Sequence, residues 1–212
     1  YYSATKDQRV IPFMTNYFKY QLEELPKNPL GKWTFWAEQR GGDNLMMVYW
    51  LYNITGDKFL LELGELLNSQ NVNWTDVFTK DNHLYRQHSL HCVNLAQGFK
   101  QPTVYYQQSK DKENLEAAEK AMKTIRNTIG TPIGLWAGDE LIRFGDPIYG
   151  SELCTAVEMM YSLETMLEIT GNMQWADQLE RIAYNALPTQ ISDDAQARQY
   201  YCLLYTSPSP RD

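Results

Sequence analysis

The sequence predicts an all-α fold, a toroid built from helical hairpins, and three observations carry that prediction. Apolar residues recur at helical spacing over long stretches, the stretches come in pairs joined by short turns, and strand signals are nearly absent. The 212 residues are 43% hydrophobic and 21% charged, a globular composition in a chain long enough to bury roughly 70% of its unfolded surface. Intrinsic disorder is excluded, and the length allows one large or two small domains.

Taken in order, a helix is predicted from about Pro12 to Leu25, followed by three hairpins. In the first, Leu45, Val48, Tyr49 and Tyr52 fall on one helical face, Thr55-Gly56-Asp57 makes the turn, and Phe59, Leu60, Leu63, Leu66 and Leu67 resume the period. Gly56 suits a C-cap and Asp57 an N-cap. The second opens with an amphipathic stretch from about His88 to Gln108, turns at Ser109-Lys110-Asp111 and continues through Leu115, Ala118, Met122 and Ile125. The third runs through Val157, Met160, Tyr161 and Leu167, turns at Thr170-Gly171-Asn172, and continues through Trp175, Leu179, Ile182 and Ala186. A recurrence of about 55 to 60 residues exceeds the ~34-residue tetratricopeptide unit and the ~40 to 47 residues of HEAT or armadillo repeats. Between the second and third hairpins, Gly130 to Gly150 carries five glycines, two prolines and no helical period. It reads as a long loop, the usual place for chemistry on a rigid scaffold.

Charge and composition restrict the partners. With 19 Lys plus Arg against 26 Asp plus Glu, the net charge is -7, so no basic field attracts a phosphate backbone and nucleic acid is not an expected partner. No apolar run approaches the length of a membrane span, and the chain is expected to be soluble. It begins Tyr1-Tyr2-Ser3 with no leader in view, so the compartment is unknown; Asn53-Ile54-Thr55 and Asn73-Trp74-Thr75 are glycosylation sequons that matter only in a secretory pathway. Three cysteines, Cys92, Cys154 and Cys202, make no disulfide framework, leaving reduced thiols or a metal site. Aromatic residues reach 13%, more than a core of this size needs, so some of the six tryptophans are candidate platforms for a sugar ring while most belong to the core.

The loop and the helix start after it hold Asp139, Glu140, Asp146 and Glu152, with Cys154 just beyond. A glycosidase needs one carboxylic acid to protonate the leaving oxygen and a nucleophile or base on the opposite face, and this cluster can supply the acid. The same four acids also suit an ordinary solvated loop. Glu152 and Cys154 are chemically suitable zinc ligands, but positions two apart diverge by about 200° within a helix. They can face one ion only at a helix start, which Gly150-Ser151 provides with Ser151 as candidate N-cap; otherwise Cys154 is a small core residue. His88 and His91, three apart, share one face if helical, either as a sugar- or metal-binding pair or as two buried imidazoles satisfied by neighbours.

The stretch Gly150-Ser151-Glu152-Leu153-Cys154-Thr155-Ala156-Val157-Glu158-Met159-Met160-Tyr161, followed by Ala176 to Pro188, resembles the β-L-arabinofuranosidase group, glycoside hydrolase family 127 and its relatives. Arg40-Gly41-Gly42-Asp43-Asn44, Tyr49-Trp50-Leu51-Tyr52-Asn53 and His91-Cys92-Val93-Asn94-Leu95-Ala96 resemble the same family, and the likeness covers roughly residues 10 to 201. The resemblance implies an (α/α)6 barrel, of which this chain holds about four of six hairpins, and a retaining exo-glycosidase releasing L-arabinofuranose or a related sugar from plant-type oligo- or polysaccharides. It further implies a zinc site of one Glu and three Cys, one of them the nucleophile. Matched by motif, Glu152 and Cys154 are the Glu-x-Cys zinc pair, Glu140 is the general acid/base across a length difference, and His91 is a sugar-binding residue; His88 and Trp136 are further candidate substrate contacts from their residue type and position. A secreted or periplasmic location suits that group. In such a site a zinc-bound thiolate attacks the anomeric carbon while Glu140 protonates the departing oxygen, which requires Glu140 to have a raised pKa, with Trp136 and Phe144 as apolar surroundings.

The departures are specific. The family's adjacent Cys-Cys pair lies downstream of the stretch matching Gln199-Tyr200-Tyr201, and this sequence contains no Cys-Cys. The run from Cys202 to Asp212 continues no upstream pattern and resembles a translated adapter. Residues 1–201 are therefore read as a partial catalytic barrel and 202–212 as a discordant tail, so that Cys202 is not the nucleophile and the fragment alone is inactive. Two further readings stay open: a metal-independent glycosidase or lyase using Glu140 with Asp146, and a non-enzymatic helical-repeat scaffold with a large apolar groove and no convergent acids.

Overall fold

The computed structural model describes residues 1–80, 90–143 and 147–202. Among these the chain is all-α, as the spacing predicts, with one two-stranded ribbon of two residues per strand. After a short turn, α1 (Tyr2–Thr5), come α2 (Val10–Glu24), two short helices α3 (Leu30–Trp33) and α4 (Phe35–Gln39), and the first hairpin, α5 (Gly41–Thr55) and α6 (Phe59–Gln70). Helix α7 (Trp74–Thr79) leads to the second unit, α8 (Cys92–Gly98), α9 (Gln101–Ser109) and α10 (Lys112–Thr128). The third hairpin is α11 (Leu153–Thr170) and α12 (Met173–Asn185).

The three predicted hairpin turns are present, and each uses a left-handed residue to reverse the chain. Gly56 (φ 74°) and Gly171 (φ 65°) close the first and third at no steric cost, whereas Lys110 (φ 57°) closes the second with a side chain that disfavours that conformation. Asp111 and Asn172 cap the returning helices by accepting from the amides of Glu113 (3.0 Å) and Gln174 (3.2 Å). Asp57 does not cap α6. Its own amide donates to Thr55 Oγ1 (3.2 Å) and the helix starts two residues later with no side-chain cap.

The amphipathic stretch from about His88 to Gln108 holds two helices among its described residues. His91 is the extended residue before α8, and the helix breaks at Phe99–Lys100. Pro102 in the first turn of α9 has no amide to offer a continuing helix, which favours a fresh start there. His91 therefore lies at a helix entrance rather than on a helix face shared with His88; His88 itself lies outside the described residues.

Two apolar clusters hold the layers together. One gathers Phe18 of α2 with Leu45, Val48 and Leu51 of α5, Leu60, Leu63 and Leu67 of α6, and Val104 of α9. The other joins Trp74, Phe78, Phe99, the alanine-lined face of α10, Met159, Leu163 and Met166 of α11, and Trp175 and Ile182 of α12. Ala117, Ala118 and Ala121 let α10 approach closely, and Ser162 Oγ donates to the Ala96 carbonyl (2.6 Å), locking α11 to α8. Helices α5, α8 and α11 all begin at one end of the molecule, where Arg40, His91 and Glu152 precede them. None of the described helices is long and apolar enough to cross a membrane.

Candidate active site

The long loop is pinned to that end by backbone hydrogen bonds. The Cys92 amide donates to the Glu140 carbonyl (2.7 Å) and the Ile142 amide to the Leu90 carbonyl (3.0 Å), so residues 140–142 run beside the entrance to α8. Gly138 makes this approach possible, because a Cβ there would sit 2.1 Å from Cys92 Sγ. Glu140 takes φ 147°, a conformation that side chains other than glycine rarely adopt. Strain of this kind, typically about 1–3 kcal/mol, persists where the surroundings over-determine it and concentrates at functional sites.

Three groups converge on the Glu140 carboxylate. Tyr201 Oη (2.7 Å) and Tyr200 Oη (3.1 Å) donate to Oε1, and His91 Nε2 lies 2.7 Å from Oε2. His91 Nδ1 accepts from the Val93 amide (3.1 Å), so in the neutral ring the proton sits on Nε2 and is directed at Glu140. These bonds, that of Tyr201 first, outweigh desolvation and hold the Glu140 carboxyl below its ordinary value. The raised pKa that the mechanism asked of Glu140 is thus not present: its side chain is half exposed, and charge-stabilising donors surround it in place of an apolar pocket. Burial first, and then the bond to Glu140, push the Tyr201 hydroxyl far above its usual range. Trp136 is packed into the core at 2% exposure. Phe144 and Asp146 lie outside the described residues.

Glu152 stands opposite. Ser151, expected as a helix cap, instead lies in strand β1 (Ser151–Glu152), paired antiparallel with β2 (Tyr201–Cys202), and its hydroxyl accepts from the buried Gln190 amide (3.2 Å). Glu152 occupies the capping position in extended conformation, only 1% exposed. The register sets Glu152 against Tyr201, which is what brings the tyrosines over Glu140. Candidate ligand atoms of His91, Glu140 and Glu152 all lie within 4.8 Å of one another. Cys154 is exposed, in the first turn of α11, and is not a member of that group; burial of its thiol and the Glu152 charge beside it raise its pKa.

Whether a metal suits these residues turns on which atoms are already satisfied. Both oxygens of Glu140 and both nitrogens of His91 have partners, whereas Glu152 Oε2 is buried without a hydrogen-bond partner. The buried orphan oxygen of Glu152 is a donor still open to a metal, while Cys154 stands outside the converging group, and the neighbouring imidazole and carboxylate fit proton transfer. Tyr200 and Tyr201 were not singled out by sequence reasoning; their only signal there is their position at the end of the family-like stretch.

The all-α chain gathers two carboxylates, an imidazole and two tyrosines at one end of its helices, residue types that glycoside hydrolysis can use. The family model for the β-L-arabinofuranosidase GH127 catalytic domain matches residues 1–211, and the chain belongs to that family. Among solved structures, one titled as a GH127 β-arabinofuranosidase aligns with TM-score 0.54 at 21% identity, covering 74% of this chain and 27% of that one. Another, titled glycoside hydrolase, aligns with TM-score 0.58 at 18% identity, covering 81% and 33%. These establish the fold, and the chain spans about a third or less of the length of either structure. No curated protein matches the sequence.

Proposed function

We propose that this chain supplies the acid/base and metal-binding arms of a retaining glycosidase acting on L-arabinofuranosides or a closely related sugar in oligo- or polysaccharides. The observation that carries the reading is the Glu140 carboxylate, held by His91 and Tyr201 at 2.7 Å each and set within 4.8 Å of the buried Glu152 carboxylate. Glu152 and Cys154 would hold zinc, which when bound supplies the positive charge that keeps a ligating thiol deprotonated at neutral pH.

The chain's own residues then divide the work. Glu140 exchanges a proton with the glycosidic or water oxygen. As it stands it is an anion and therefore poised as the base; a substrate that displaces the tyrosine hydroxyls and excludes water raises its proton affinity for the acid half of the cycle. His91 orients one carboxylate oxygen, and Tyr200 and Tyr201 orient the other. The nucleophile is assigned to an adjacent cysteine pair absent from this sequence, so the 212 residues alone are proposed not to turn substrate over. The convergence of two acids at one end of the helices is what a simple binding scaffold would lack.

The reading is tested by titrating the chain with L-arabinose while following the His91 ring and Glu140 carboxyl resonances. Both are expected to shift and saturate together, and Glu140→Gln to weaken the binding. Saturating shifts elsewhere with none at His91 or Glu140 would refute it.

A further inference from the structure

The Arg40-Gly41-Gly42-Asp43-Asn44 motif is not used by the chemistry above, yet it forms one wall of a cavity of about 630 Å³ between the end of α2 and the start of α5. That volume lies within the range of small-molecule sites, about 300–1,000 Å³, which are mostly apolar with a few placed polar groups. We propose that this cavity binds a second, neutral sugar unit of the substrate, next to the one held at His91 and Glu140; the assignment rests on the glycosidase reading.

Its polar groups are built in rather than incidental. Lys100, fully buried, makes an ion pair with Asp43 Oδ1 at 2.7 Å, and Gln97 Nε2 donates to Asp43 Oδ2 at 3.3 Å, so the carboxylate is fixed from two sides. Gln97 is itself 9% exposed, lines the cavity, and its Oε1 is buried without a hydrogen-bond partner. An orphan acceptor of this kind calls for a donor such as a hydroxyl. Asn44 and Gln21 bridge α5 to α2 through a reciprocal amide pair (2.9 and 3.4 Å). Tyr17 and Tyr20, three apart on α2, also line the cavity and are 47% and 53% exposed, which leaves ring surface for the C–H face of a sugar.

Charge selects the class of ligand. Asp43 is offset by Lys100, and the remaining charged groups of the lining, Arg40 and Glu24, are one of each sign. No positive surplus remains to favour a phosphate or carboxylate, so a neutral polyhydroxylated molecule is the complementary occupant. Position links it to the reaction. Arg40 Nε donates to Asn94 Oδ1 (2.8 Å) and its guanidinium lies over the Trp36 ring at 4.4 Å. Trp36 in turn meets the His91 ring edge-on at 5.1 Å. The cavity wall and the catalytic imidazole are therefore two contacts apart.

The test compares L-arabinose with a neutral arabinose disaccharide by calorimetry and saturation-transfer NMR, using wild type, Asn44→Ala, Tyr20→Ala and Glu140→Gln. Tyr20 is exposed enough that its variant folds normally, and melting curves check Asn44→Ala. Each cavity variant is expected to weaken the disaccharide about tenfold, the scale of one lost hydrogen bond or stacking contact, and the monosaccharide by less than about twofold. Glu140→Gln is expected to weaken both. Disaccharide binding untouched by the cavity variants overturns the proposal, and if Glu140→Gln still weakens the monosaccharide the catalytic reading survives. Disaccharide binding that depends on Asn44 and Tyr20 but not on Glu140 sustains the sugar site and sinks the catalytic reading. Failure of either sugar to bind, with an apolar dye or an amphipathic helical peptide binding in a Tyr20-dependent manner, overturns the proposal in favour of a packing groove.

Discussion

Replacing Gly138 by Ala tests how the loop presents Glu140. The added methyl would lie 2.1 Å from Cys92 Sγ and 2.7 Å from the Leu141 carbonyl oxygen. Non-bonded carbon and sulfur settle near 3.5–4.0 Å, so one side must move by roughly 1.5 Å. Cys92 is 1% exposed and packed in the same core as Trp136, and cannot yield easily; overpacking of this kind costs about 1–3 kcal/mol. If the loop moves instead, the bonds from the Cys92 and Ile142 amides weaken, adding up to about 1 kcal/mol. A loss of about 2–4 kcal/mol lowers the melting temperature of a chain this long by roughly 4–16 °C. Denaturant unfolding and a melting curve measure it, and L-arabinose binding should fall in the same variant because Glu140 shifts with the loop. Combining Gly138→Ala with Cys92→Ala removes the sulfur contact and should recover half or more of the cost, the carbonyl contact keeping the rest. A single variant within about 0.5 kcal/mol of wild type, or strictly additive effects in the double variant, would refute the steric account.

Three further predictions concern charge and backbone. The Glu140 carboxyl is held below its ordinary value of 4.5, chiefly by Tyr201, so its contribution to stability is present above that value and lost as pH falls through the lowered one. The stability difference between wild type and Glu140→Gln should therefore shrink in acid, and Tyr201→Phe should move the Glu140 carbon titration upward; an unmoved titration contradicts the hydrogen-bond assignment. Asp43→Asn leaves the buried Lys100 ammonium without its partner and should cost about 2–4 kcal/mol in urea unfolding, more than Lys100→Met, which removes the buried charge itself. Lys110→Gly should stabilise the chain by up to about 1 kcal/mol, since Lys110 sits at φ 57° in the second hairpin turn; a destabilised variant would contradict the turn assignment.

Hairpins were legible because each rests on local rules: apolar spacing, a left-handed residue at the turn, and a short polar cap. Where those rules compete, the sequence misleads. Asp57 looks like a cap, but α6 starts two residues later, at Phe59, and no side chain caps it. Ser151 looks like another, but tertiary pairing with residues 201 and 202 draws it into a strand. Glu140 and Glu152 were singled out through motif resemblance, and the structure gathers them with His91, whereas Cys154, expected in one metal site with Glu152, lies outside that group. The tyrosine pair was not legible, because its role depends on a strand register set between residues some fifty positions apart. For the same reason the direction of the Glu140 shift was missed: it is fixed by donors that arrive from Tyr200, Tyr201 and His91 rather than by neighbours along the loop.

The most direct test of the account is X-ray absorption on the zinc-loaded chain. Wild type should show a sulfur ligand together with oxygen or nitrogen ligands, Cys154→Ser should lose the sulfur, and Glu152→Gln should lower zinc affinity by at least about tenfold. Zinc held equally well by both variants, or bound with no sulfur in wild type, would contradict the assignment of Glu152 and Cys154 as the metal arm beside Glu140.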